Sequence, residues 1–97
     1  MVIGVLRVTV GIEGAFSLKE KRGVVRRLTD RVRNKFNVAV AEVDQHDTFN
    51  RAVIGVTCVA NEGPFVNSVL DKVLDAMERI GAGEAEILDT ELELIHW

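Results

Sequence analysis

Apolar residues recur along this chain with two periods, and the switches between them mark its elements. Over residues 2–13, Leu6, Val8, Val10 and Ile12 fall on one side while Ile3, Val5, Arg7 and Thr9 fall on the other, the two-residue period of a strand. Its first half is apolar on both sides, which predicts a central strand. Over residues 17–35 the period lengthens, because Leu18, Val25, Leu28, Val32 and Phe36 share one face of a 3.6-residue helix. Ser17, with Glu20 three positions on, is the capping-box signature of a helix start. Residues 37–45 and 51–61 are strands again, joined by the turn-rich segment from His46 to Asn50, and this short connection predicts an antiparallel hairpin. In the second of them, Ile54, Val56, Cys58 and Ala60 alternate with Val53, Thr57 and Val59.

Glu62-Gly63-Pro64 stops that strand and opens a second helix, with the proline in its first turn, where the missing N–H costs nothing. Val66, Val69, Leu70, Val73, Leu74 and Met77 form its apolar face, and Gly81 and Gly83 end it. In residues 84–97, Leu92 and Leu94 alternate with Glu91 and Glu93, and the Ile87-Leu88 pair breaks the alternation in the manner of a β-bulge. The order β-α-β-β-α-β predicts an α+β, ferredoxin-like domain over residues 1–97, a four-stranded antiparallel sheet with two helices on one face. The other face is left bare with Ile3, Val5, Val53 and Val59 on it. A contiguous apolar patch is uncommon on a monomer, so a homodimer through the open sheet face is expected.

Charge changes this picture. The 97 residues carry a net charge of −3, yet the first helix holds eight of the twelve Lys and Arg residues against only Glu20 and Asp30. Lys19, Arg22, Arg26 and Arg33 fall along one flank of the cylinder and Arg27, Arg31 and Lys35 along the other. Like charges at these spacings cost about 0.2 to 0.5 kcal/mol per pair, so helix propensity does not ask for them. Two readings follow. Lys19, Lys21, Arg22, Arg26, Arg27, Arg31 and Arg33 form an anion-binding surface for RNA or the ribosome, or the helix pairs with an acidic partner or its own subunit, with Glu84, Glu86, Asp89, Glu91 and Glu93 as carboxylates within the chain.

Other chemistry finds little support. The first and third strands contain no Phe, Tyr or Trp, so the sheet lacks the stacking platform of an RNA recognition motif. The segment Gly11 to Phe16 is similar to the phosphate-cradling loop of acylphosphatases, but Ser17 stands where that enzyme's arginine belongs and no match for its asparagine region is present. A small phosphate-binding enzyme is thus the least favoured alternative, and no catalytic residue is assigned. Asp44, His46 and Asp47 read as turn residues and not as metal ligands, and Cys58 as a small core residue. No cofactor or metal is expected. The opening MVIGVLRV reads as a strand and not a signal peptide, and no apolar run is long enough to span a membrane, so a cytoplasmic location is expected.

Particular strings carry a resemblance. Ser17 to Arg22 (SLKEKR), Phe36-Asn37-Val38, Ala41-Glu42-Val43, and Asp47 through Arg51-Ala52 to Gly55-Val56 resemble the YlxP-like family of small bacterial proteins of unknown function. Phe49-Asn50 departs from the Trp-Gln that many members carry before the Arg-Ala pair. The resemblance covers essentially the whole chain and implies a ferredoxin-like fold in a bacterial cytoplasmic protein. Genes of the family often lie beside translation-initiation and ribosome-maturation genes, which implies by association a link to ribosomes or RNA.

Overall fold

The computed structural model describes residues 1–97, in the order β1 (Val2–Ile12), α1 (Leu18–Lys35), β2 (Ala39–Asp44), β3 (Arg51–Ala60), α2 (Gly63–Gly81) and β4 (Ala85–His96). The strands form one antiparallel sheet in the order β2-β3-β1-β4, so β1 is central, as its two apolar sides require. Both helices lie on one face. Leu6, Val8 and Val10 of β1 and Ile54 and Val56 of β3 meet Val25, Leu28 and Val32 of α1 and Val66, Leu70 and Val73 of α2 in a single core.

Helix α1 begins where its capping residues place it. Ser17 is extended at φ −152° and its hydroxyl accepts the Glu20 amide at 3.2 Å, a cap worth about 1 kcal/mol. The reciprocal arm differs from a full capping box, because Glu20 Oε1 accepts from the Ser17 hydroxyl at 3.4 Å and does not reach the backbone. The expected bulge in β4 is present: Thr9 pairs with Asp89 and Val10 with Ile87, leaving Leu88 as the extra residue. Strand β2 is shorter than its pattern predicts, running from Ala39 to Asp44. It stops at Gln45, whose left-handed φ of 63° turns the chain out of the sheet.

Helix α2 approaches the sheet through Gly4. A Cβ at this position would overlap Val66 Cγ1 and come within 2.7 Å of Leu70 Cδ1, so the absence of a side chain on the central strand sets how closely the helix can lie. On the opposite face Ile3, Val5 and Val59 are accessible as the alternation predicts. Val53 departs from the expectation. It shares that face but is only 3% exposed, so it adds nothing to the accessible patch.

Candidate nucleic-acid interface

The seven cations predicted on α1 separate into two groups, according to whether a carboxylate of the fold reaches them. Lys21 is the furthest from expectation. It is completely buried, with its ammonium 2.8 Å from Glu42 Oε2 and donating to the Gln45 carbonyl at 2.6 Å. Oε2 is buried with no donor well aligned on it, so the contact with Glu42 is held by charge more than by a directed hydrogen bond. Lys21 therefore leaves the anion-facing set and becomes a tie between α1 and the end of β2. The sequence did contain the signal: Lys21, Val25, Leu28 and Val32 lie at offsets of 4, 7 and 11, which puts the lysine on the apolar face.

Two arginines have partners at the surface. Arg27 Nη2 lies 2.8 Å from Glu84 Oε1, and this carboxylate is among those the acidic-partner reading names. Arg33 Nη1 meets Asp30 at 2.8 Å while its Nη2 donates to the Val40 carbonyl at 2.9 Å. Each pair is about half exposed, and exposed pairs contribute only about 0.2 to 1 kcal/mol. Such bonds restrain a guanidinium without sequestering it. Burial, in contrast, removes Lys21 altogether.

Lys19, Arg22, Arg26 and Arg31 are exposed, and no carboxylate lies within ion-pair distance of any of them. Lys19, Arg22 and Arg26 follow one another at i, i+3 and i+7 over about 10 Å of helix at 1.5 Å rise per residue. Arg33 continues the same flank toward β2, where it grips the Val40 carbonyl. Arg31 lies on the opposite flank, beside Arg27 and the C-terminal end of α2, in a hollow lined also by Ile80 and Glu84. The free charge among the seven is thus a short cluster on one flank with Arg31 on the other. Lys35, the helix's eighth cation, is also exposed without a carboxylate partner, and the two flanks that the sequence predicts are only partly free.

The loop after β1 offers less than its resemblance to a phosphate cradle implies. The amide of Ile12, the last residue of β1, donates to the Asn50 carbonyl and that of Glu13, the first residue of the loop, to the Glu84 carbonyl, both at 2.9 Å, so neither N–H group is free for a phosphate. Ser17 is occupied as the cap of α1. In the hairpin loop, Gln45 to Thr48 forms a turn in which the Thr48 amide donates to the Gln45 carbonyl. Cys58 is buried with its thiol pushed above the usual cysteine range by desolvation, which disfavours the thiolate.

Comparison with known proteins bears on the family and the fold. Residues 3–92 match the sequence profile of the family described as Protein of unknown function (DUF503). The uncharacterized protein YlxP of Bacillus subtilis (strain 168) is 38% identical over 80 residues, covering 82% of this chain and 87% of the relative. Among solved structures, a de novo designed protein with a ferredoxin fold superposes with a TM-score of 0.62 at 14% identity, over 95% of this chain and 85% of that one. A candidate chlorite dismutase gives 0.59 at 11% identity; the chain covers 44% of its length, with 97% of this chain aligned. SnoaB, a cofactor-independent oxygenase from Streptomyces nogalater, gives 0.56 at 11% identity, over 99% and 92% of the two chains. At these identities the structural likenesses concern the fold alone.

Proposed function

We propose, for a chain that belongs to the DUF503 family of proteins of unknown function, that it is a non-enzymatic binding domain whose first helix docks on RNA or a ribonucleoprotein surface through phosphate contacts. The observation that carries this reading is the cluster of Lys19, Arg22 and Arg26, exposed and without carboxylate partners in a protein of net charge −3. An acidic protein with this many spare carboxylates could have neutralised them internally. Leaving three cations on adjacent turns concentrates positive potential where a polyanion gains most from it.

Arg33 and Arg27 join the surface by exchanging a half-exposed carboxylate for a phosphate, and Arg31 extends it on the far flank. Lys21 stays outside the surface, its charge used within the fold against Glu42. Contacts of this kind give affinity without base readout. Three to four phosphate contacts imply a loss of roughly 20- to 150-fold in affinity for a short single-stranded or duplex RNA between about 50 and 200 mM salt. The charge reversal R22E/R26E is expected to abolish most of the remaining binding, measured by fluorescence anisotropy. Binding that ignores salt, or survives the double reversal unchanged, rejects the mechanism. Binding of an acidic peptide but not RNA by the wild type, lost in the same variant, transfers the surface to an acidic protein partner.

A further inference from the structure

The open face of the sheet is organised by register into an apolar end and an acidic edge. At the apolar end Ile3 of β1 stands between Val59 of β3 and Ile95 of β4, and in the next row inward Val5 stands between Thr57 and Glu93. The ladder continues past the strand ends, because the Trp97 amide donates to the Met1 carbonyl at 2.8 Å and the Met1 ammonium to the Trp97 carbonyl at 3.2 Å. Strand alternation therefore adds Met1 and Trp97 to the face of Ile3 and Ile95. Trp97 is 84% exposed, Val59 63% and Met1 58%. Beside this projecting group lies a hollow. The surface dips between Val5, Arg7, Ala39, Ala41 and Thr57, where Val43 leans over Gly55, leaving a largely apolar depression of about 380 Å³.

The charges run along β4 and, through Arg7 and Asp44, across the sheet beyond the apolar end. Asp89, Glu91 and Glu93 stand on the edge strand β4, and Arg7 marks the boundary, with Asp44 at 3.4 Å and Glu91 at 3.8 Å. We infer that the apolar end of this face is the contact surface for a second copy of the chain, with Trp97 and Val59 projecting against the Gly55 hollow of the partner and the β4 carboxylates left at the rim. A twofold contact must be complementary to itself, and this patch carries both a projecting element and a recess. Exposed tryptophan and methionine are the side chains that anchor such contacts. The full face, four strands about 4.8 Å apart over ten residues at about 3.3 Å rise, is on the order of 600 Å², which bounds the contact from above. This makes it a small interface, below the roughly 800 Å² per partner of a standard complex, so association is expected to depend on concentration.

This inference stands apart from the RNA reading, since the helices lie on the other side of the sheet. Sedimentation equilibrium of the 97-residue chain across the micromolar range is expected to give twice the chain mass of 10.7 kDa. W97S and V59D are each expected to fall to the single mass with unchanged far-UV circular dichroism, because neither residue belongs to the core. R22E/R26E is expected to remain dimeric. The emission of Trp97, the only tryptophan, is expected to move to shorter wavelength as concentration rises. A wild type of single mass at every concentration overturns the proposal, as does a dimer that survives W97S or V59D, a double reversal that dissociates it, or an emission maximum that does not move.

Discussion

Replacing Lys21 by Met is expected to destabilise the domain by about 3 to 5 kcal/mol, although the new side chain is apolar and of similar length. The loss comes from Glu42, whose carboxylate keeps 17% of its side-chain exposure and would remain largely enclosed with no cation beside it. The Gln45 carbonyl also loses its donor, at the residue where the backbone leaves β2 in a left-handed conformation. A domain of this size is stable by about 5 to 15 kcal/mol, so the change takes a large part of the total. Adding Glu42→Leu to Lys21→Met is expected to recover most of the loss, because an apolar pair needs no solvation. Urea unfolding of the wild type and the three variants measures the cycle. A single Lys21→Met variant as stable as the wild type would show that the ion pair contributes nothing. The same cycle separates stability from binding: Lys21→Met is expected to leave the affinity for RNA of the folded protein near that of the wild type, whereas R22E/R26E does the reverse.

The second large effect concerns Gly4. A valine there would drive two methyl groups into the space of Val66 and Leu70, both completely buried, and overpacking of this kind costs about 1 to 3 kcal/mol or more. Relief is limited because β1 is held on both sides, Gly4 pairing with Cys58 and with Leu94. The helix must therefore move and the sheet cannot. Trimming the opposing side chain tests the cause. Leu70→Ala alone is expected to cost about 2 to 5 kcal/mol, but combined with Gly4→Val it should cost less than the two losses together, since each change makes room for the other. Strict additivity in thermal or urea unfolding would mean that the two residues do not compete for the same space.

The fold was readable from periodicity because each element is long enough to show its period and is ended by a residue with a reason to end it. Ser17 opens α1, Glu62-Gly63-Pro64 opens α2, and Gly83 at φ 84° follows its end. The bulge at Leu88 was visible as a broken alternation. The site was less legible, since charge along a sequence does not say which charges the fold will use. Arg33 and Asp30 are three apart on one helix, so their pairing was open to inspection. Arg27 and Glu84 are separated by 57 residues, and their contact depends on how the turn after α2 sits beside α1. Lys21 and Glu42 required two registers at once, the lysine on the apolar stripe of α1 and the glutamate on the same side of β2 as Val40. Val53 departs from its pattern because alternation reports the side of a sheet and not the depth at which a residue lies.

The mutual bonding of Met1 and Trp97 has a topological consequence. With these two residues side by side at one end of the ladder, the backbone comes close to describing a closed circuit, and a short bridge between them would disturb no packed element. The succession of strands and helices around that circuit is then a cyclic order. Reopening it within the exposed turn at His46 and Asp47 would yield a rearranged polypeptide with every pairing of the sheet retained.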